Sequence, residues 1–183
     1  MREDRGITIT TLVITIIVLL IIAGISAGTG NKVIKSSELE NVKTNMLLIK
    51  AKGKEYVENA NFKLGTNFEN SEDKEKRIKT AKAELKKGED EEMTNNEILE
   101  QNIGITQDNI KNNNEYTYYY KLSNDDLTDM GLPNVKSDKK NGWYIIKYDL
   151  ENVEVEVYNT LGFERDGEKY YSLNELQNLN IEF

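Results

Sequence analysis

The side chains that most enzymes use for catalysis are scarce in this sequence. Its 183 residues include no Cys and no His, which leaves no thiol nucleophile, no Ser–His pair and no Cys- or His-based zinc site. Carboxylates are plentiful, with 32 Asp and Glu residues against 24 Lys and Arg, but nothing in the sequence places two of them in one cleft. We therefore expect no enzyme and no cofactor. The net charge of −8 argues against broad nucleic-acid binding.

Two other features could bind a ligand. The acidic stretch Gly88-Glu89-Asp90-Glu91-Glu92 could hold calcium, but its spacing matches no known calcium-binding loop. We expect a solvated loop there and no metal site. The ten Tyr residues could stack on glycans. We favour the alternative, in which tyrosines in strands pack on their neighbours and point their hydroxyl groups to water.

A short segment at the N-terminus has a pattern that predicts chemistry. Residues 1–6, Met1-Arg2-Glu3-Asp4-Arg5-Gly6, form a charged leader that ends at a glycine. Because Gly6 has no side chain, it can adopt the extended backbone that a protease cleft requires. An apolar segment begins directly after it.

This apolar segment is long enough to cross a membrane. No charged residue occurs from Gly6 to Asn31, a run of 26 residues, and a bilayer core of about 30 Å needs about 20 helical residues. Residues 7–28 are therefore predicted to form one transmembrane helix. A cleaved secretory signal peptide fits less well, because its apolar part has roughly 7–15 residues. A plain N-terminal membrane anchor is a second alternative.

The charged leader, Gly6 and the apolar helix resemble the N-terminus of prepilins and pseudopilins, the subunits of type IV pili, competence pili and type II secretion filaments. The resemblance implies that a prepilin peptidase cuts between Gly6 and Ile7 and methylates the new N-terminus at Ile7. It implies a single-pass cytoplasmic membrane protein, with its N-terminus inside and its C-terminal domain outside, that enters an extracellular filament. The implied partners are the prepilin peptidase, a membrane assembly platform, the lipid bilayer before assembly and other pilin subunits. The residues expected in the membrane and filament helix include Leu12, Ile16, Leu19, Leu20 and Ile22.

Two positions depart from the family pattern. The family usually has Phe at the first mature position, where this chain has Ile7, and Glu at the fifth, where it has Thr11. In the family, that Glu pairs with the N-terminal amine of a neighbouring subunit, whereas Thr11 offers a hydroxyl group and no charge. The departure favours a minor pilin or pseudopilin, with a role at the filament tip as a hypothesis. Alternatively, Thr11 follows the Thr- and Ile-rich N-termini of low-G+C Gram-positive pilin-like proteins.

The first residues behind the apolar segment continue its helical pattern. Residues 29–63 are predicted to extend the long helix, because apolar residues recur at steps of three and four. The stripe consists of Leu39, Val42, Met46, Ile49, Gly53, Tyr56 and Ala60. We expect it to pack on its own domain, with a coiled coil as the alternative. Residues 64–115 form a polar region, with helices predicted at residues 72–87 and after a capping box at Thr94.

Residues 116–183 are predicted to form an antiparallel sheet with short helices. Strands are expected at residues 116–122, 143–150 and 153–158, and Asp166-Gly167 predicts a hairpin. Ser123 caps one short helix and a capping box at Ser172 opens another. The predicted fold class is therefore α+β, a long N-terminal helix packed on a small sheet as in pilins. No motif in this region separates adhesion, DNA uptake, secretion and twitching.

Overall fold

The chain forms an α+β structure around a four-stranded antiparallel sheet. The computed structural model describes residues 31–85 and 92–179. The transmembrane helix predicted at residues 7–28 and most of the acidic stretch 88–92 lie outside these ranges. Within them, the elements are α1 Asn31–Leu64, α2 Ser71–Leu85, α3 Asn95–Glu100, α4 Gln107–Lys111, β1 Thr117–Leu122, α5 Asn124–Asp129, β2 Tyr144–Asp149, β3 Glu154–Arg165, β4 Glu168–Ser172 and α6 Leu173–Asn178. We call α1 the spine helix and the other described elements the head.

The spine helix has 34 residues and is about 51 Å long at 1.5 Å per residue. It covers residues 31–63 of the predicted range 29–63, and residues 29 and 30 lie outside the described ranges. Its apolar stripe is buried against the head, except that Val42 is only partly buried. The buried residues are Leu39, Met46, Ile49, Gly53, Tyr56 and Ala60, with Val57 and Leu64 in addition. The helix ends at Leu64 because Gly65 takes a left-handed φ of 70° and its N–H donates to the Asn61 carbonyl group.

Two hydrogen bonds show in which direction the spine helix runs along the sheet. Nδ2 of Asn45 donates to the hydroxyl group of Tyr144 at 3.3 Å, where β2 begins. Four turns later, Nδ2 of Asn61 donates to the Leu150 carbonyl group at 2.6 Å, just past the end of β2. The spine helix therefore runs parallel to β2. We call the Tyr144 end of the sheet, which lies towards the N-terminal part of the spine helix, the basal end, and the Leu150 end the distal end.

The four strands lie side by side in sequence order, and each pairs antiparallel with the next. The hairpin predicted at Asp166-Gly167 is confirmed. Both residues have positive φ, 55° and 84°, as expected for the two-residue turns that match strand twist. Because Tyr144 pairs with Asn159, the rest of β3 and this hairpin continue past the basal end of β2.

One strand boundary differs from its prediction. The strand expected to start at Val153 begins at Glu154, because Val153 has a φ of 52°. The carboxylate of Asp149 accepts hydrogen bonds from the backbone N–H groups of Glu151 and Asn152 at 3.0 and 2.9 Å. These bonds fold the chain into a turn, and Val153 completes the turn instead of opening the strand.

The sheet is covered on both faces. Its inner face packs on the spine helix through Tyr120, Tyr144, Ile146, Tyr148, Val155 and Val157. On its outer face, Tyr119, Ile145 and Tyr158 form a second apolar cluster with Met93, Ile98, Ile103 and Ile110 of the polar region. Tyr158, on the outer face of β3, is therefore buried as well. The apolar residues that cover the outer face are scattered through the polar region, residues 64–115.

The helix α2 packs on the spine helix and reaches tyrosines of β1 and the residue before it through two lysines. Nζ of Lys74 lies 5.6 Å from the ring centroid of Tyr116, and Nζ of Lys82 lies 4.8 Å from that of Tyr118. Lys82 also pairs with Glu92, which forms an isolated bridge to β1. Cation–π contacts of this kind contribute about 0.5–1 kcal/mol each at exposed sites.

Gly53 lies where the spine helix packs closely on the sheet, and its substitution tests this packing. A Cβ there would lie 2.5 Å from Cδ1 of Ile146 and 3.1 Å from Cγ1 of Val155. We expect Gly53→Leu to lower the free energy of unfolding by about 1–3 kcal/mol, because it overpacks the interface. Urea unfolding checks this, with Asn59→Leu at an exposed position of the same helix as the control. A Gly53→Leu variant as stable as the control would contradict the packing.

Candidate functional site

The residues predicted for processing and assembly lie outside the part of the chain that the structure describes. These are Gly6, Ile7, Thr11, Leu12, Ile16, Leu19, Leu20 and Ile22. The spine helix begins at Asn31, directly behind the apolar segment in the sequence. Across residues 31–85 and 92–179, no helix combines the length and the apolar character needed to cross a membrane.

A polar cleft of about 640 Å³ lies on the outer face of the sheet. Its floor is formed by β1, β2 and β3, and its walls by residues 103–114 on one side and α6 on the other. Seven of the lining residues are asparagines: Asn109, Asn112, Asn113, Asn114, Asn152, Asn174 and Asn178. Since each side-chain amide both donates and accepts hydrogen bonds, the cleft suits a ligand rich in hydroxyl or amide groups.

The carboxylate of Glu156 is held in place at the floor of the cleft. The hydroxyl group of Tyr158 donates to its Oε2 at 2.7 Å, and Nδ2 of Asn174 donates to its Oε1 at 3.2 Å. Burial of Tyr158, together with the charge of Glu156, raises the pKa of the tyrosine hydroxyl group well above its usual value. Tyr158 therefore remains a hydrogen-bond donor to Glu156 throughout the physiological pH range.

Lys147 is the cation of the cleft. It lies between Tyr119 and Glu156 in the strand register, and its Nζ is 5.9 Å from the ring centroid of Tyr119. No ion pair of Lys147 occurs among the described residues. Unlike Lys147, the acidic residues Asp149 and Glu175 of the cleft lining are bound within the protein. Asp149 accepts backbone N–H groups of a turn, and Glu175 caps α6. The cleft thus offers one ammonium group and several amides to a ligand.

The prediction that tyrosines in strands point their hydroxyl groups to water is wrong at several positions. Tyr118 donates to the Glu115 carbonyl group at 2.6 Å, and Tyr144 accepts a hydrogen bond from Asn45. In the cleft, Tyr119 and Tyr158 are only 3% and 8% exposed. These two rings therefore offer no face on which a glycan could stack.

The described residues of the cleft supply hydrogen-bonding groups and one ammonium group. In the described ranges, no group of three or more carboxylates has the geometry to hold a metal ion. The sequence pattern did not predict the cleft. The alternation of Glu156 and Tyr158 along one strand was visible, but the approach of Asn174 from α6 arises only in the folded chain.

Comparisons with known proteins define no family for this chain. No protein-family model matches the sequence, and neither a curated protein nor a solved structure matches it. Its function is therefore inferred from its own residues.

The buried tyrosines predict how stability depends on alkaline pH. Burial, with the nearby charge of Glu92 in support, raises the pKa of Tyr118 to about 12, against about 10 in an unfolded chain. Because the folded pKa is the higher one, the stabilisation is complete below pH about 10 and is lost as the pH rises through 12. We expect the urea midpoint to fall above pH about 10, and the fall to be smaller in Tyr118→Phe. The tyrosinate absorbance of the folded protein checks the cause, and titration of all ten tyrosines near pH 10 would contradict it.

Proposed function

We propose that this chain is a structural subunit, a minor pilin or pseudopilin, of a type IV pilus, competence or type II secretion-like filament. The observation that carries the proposal is the order of a charged leader, Gly6 and a run of 26 residues without charge. A helix of that length can span a bilayer. The same helix can exchange lipid for the helices of neighbouring subunits once the charged leader has been removed.

The fold behind the apolar segment is consistent with this role. A spine helix of 34 residues follows the segment and packs along the sheet. Force on the N-terminal helix of a subunit would therefore be transmitted to the head through a continuous helix–sheet interface. Neither a disulfide nor a metal cluster is found in the described ranges to support the head.

In the proposed pathway, the subunit is first a single-pass membrane protein with its head outside. A prepilin peptidase cuts after Gly6 at the inner membrane face and methylates the amine of Ile7. An assembly platform then moves the helix from lipid into the filament. Thr11 can donate a hydrogen bond but cannot form the buried ion pair that a Glu would form with a neighbouring amine. This difference favours a minor or tip subunit over a major one.

The outer cleft favours a second candidate function. A single-pass surface protein that is neither processed nor polymerised could use the free ammonium group of Lys147 and the surrounding asparagines to bind a polar ligand. This alternative requires an intact N-terminus. It also requires that the protein does not cofractionate with sheared filaments.

The mature N-terminus separates the two functions. In cells that contain a prepilin peptidase, we expect mass spectrometry to find a chain that begins with methylated Ile7. Gly6→Leu should accumulate as the full-length form in the membrane, because a bulky side chain does not fit where the protease requires extended glycine. Gly24→Leu, inside the apolar segment, is the control and should be processed normally. A chain that still begins at Met1, or that is cut near Ala27, would rule out the pilin proposal.

A further inference from the structure

A lysine-rich loop at the basal end of the head stands out in an acidic protein. Residues 136–143 read Lys136-Ser137-Asp138-Lys139-Lys140-Asn141-Gly142-Trp143, which we call the basal loop. It leads directly into β2 at Tyr144. Lys139 and Lys140 are exposed and form no ion pair within the described ranges, whereas Lys136 donates to the Pro133 carbonyl group at 2.8 Å.

The start of the basal loop is fixed by a buried serine. Ser137 is fully buried, and its Oγ donates to the Leu122 carbonyl group at 2.5 Å while it accepts the N–H of Tyr144 at 3.0 Å. The next residue, Asp138, accepts the backbone N–H groups of Lys140 and Asn141, both at 2.8 Å. The N–H of Asn141 is the main reason why the pKa of Asp138 is lowered. These bonds hold the two exposed lysines at the tip of a tight turn.

The end of the basal loop is fixed by a buried asparagine. Asn159 is 1% exposed, and its Nδ2 donates to the Asn141 carbonyl group at 3.1 Å. Gly142 has a φ of 81°, and a Cβ at this position would overlap the amide of Asn159. Two of the four buried polar or charged residues in the described ranges, Ser137 and Asn159, thus position this loop. So many buried contacts indicate a preformed loop rather than an arbitrary connection.

Trp143 adds an amphipathic aromatic side chain beside the lysines. It is the only tryptophan in the sequence, it is half-buried, and Nζ of Lys121 lies 4.2 Å from its ring. Tryptophan and lysine together are typical of surfaces at the level of lipid headgroups, where an indole ring is partly apolar and an ammonium group meets phosphate.

The direction of the spine helix places this loop on the membrane side of the head. The basal end lies towards the N-terminal part of the spine helix, and the apolar segment precedes that part in the sequence. We propose that the basal loop docks the head onto anionic lipid headgroups while the subunit is still in the membrane. This inference rests on the membrane anchor of the proposed function, and it goes beyond that function by naming a lipid-binding surface of the head.

The geometry sets a condition for this docking. Fourteen residues of helix, about 21 Å, separate Asn31 from Asn45 at the level of the basal end. Since charges are screened beyond about 8–10 Å at physiological salt, an upright head would hold the loop too far from the lipid. Docking therefore requires the helix axis to tilt towards the β1 side of the sheet, because the β3–β4 hairpin extends beyond the basal end of β2.

Other charges at the basal end do not reproduce the basic character of the loop. The β3–β4 hairpin carries Glu164, Asp166 and Glu168 against Arg165 and Lys169, so its charges sum to −1. The helix α5 adds the exposed Asp125, and the spine helix adds Glu38 and a Glu40 that pairs with Lys43 at 3.4 Å. The attraction is thus local to the basal loop, and it must weaken as salt is added.

Trp143 makes the proposal directly measurable because it is the only tryptophan. The full chain is reconstituted into vesicles of phosphatidylcholine, or of phosphatidylcholine mixed with phosphatidylglycerol, with a quencher on the lipid headgroup. We expect the emission of Trp143 to shift to the blue and to be quenched in the anionic vesicles only. Both effects should be reversed by high salt.

A matched pair of variants tests which lysines are responsible. Lys139→Gln/Lys140→Gln should lower the ratio of docked to undocked heads by about fivefold for each lysine, since a basic residue near an anionic surface contributes about 1 kcal/mol. The control, Lys76→Gln/Lys79→Gln, removes the same charge from exposed positions of α2. It should dock like the wild type. Equal losses in both variants would show a general charge effect and would overturn the proposal.

Flotation of the same vesicles tests the membrane anchor separately from docking of the basal loop. A chain that floats with both kinds of vesicle confirms the anchor, and unchanged Trp143 emission in such samples would overturn the docking alone. A chain that does not float with neutral vesicles would overturn the membrane anchor and the docking with it. Processing after Gly6 is measured independently of either result.

Discussion

The close contact between the spine helix and the sheet at Gly53 is the constraint on which the rest of the structure depends. With no Cβ at this position, the helix backbone can approach Ile146, Val155 and Tyr148 from the inner face. Burial of apolar side chains along this interface supplies the main stabilisation, at roughly 25 cal/mol per Å² of apolar surface. The sequence contains no Cys that could replace it with a disulfide. The interface also fixes the direction in which the helix runs along the sheet.

The polar region that covers the outer face of the sheet also forms part of the cleft. The outer cluster buries Ile145 beneath residues of the polar region, and the same region then turns away to form one wall of the cleft. Because the three nearby carboxylates are all engaged with donors of the protein itself, the ammonium group of Lys147 remains available there. A surface that is acidic overall can thus present a local cation to a ligand.

Local features of this chain were predictable from its sequence. The helix caps at Thr94, Ser123 and Ser172 and the turn at Asp166-Gly167 follow from short-range rules, and the structure contains all of them. The cap at Thr106 escaped prediction because Asn109, rather than Glu or Gln, completes the box.

Features that depend on distant parts of the chain were not predictable. The buried hydroxyl group of Tyr144 requires Asn45, 99 residues away in the sequence. The approach of Asn174 to Glu156 depends on where α6 is placed. Periodicity identifies which residues share a face, but it does not identify what covers that face. For the same reason the cleft was found only in the folded chain.

The proposed docking surface would attach the head to the membrane more weakly than the proposed transmembrane helix attaches the chain. This difference suits a subunit that must leave the membrane. Two exposed lysines contribute about 1 kcal/mol each at an anionic surface, and salt screens them. Insertion of a transmembrane helix is effectively irreversible in comparison. A head held to lipid only by its basal loop can therefore be released without an added energy source. The apolar helix can leave only if contacts with other helices replace its contacts with lipid, and that exchange is what assembly into a filament provides.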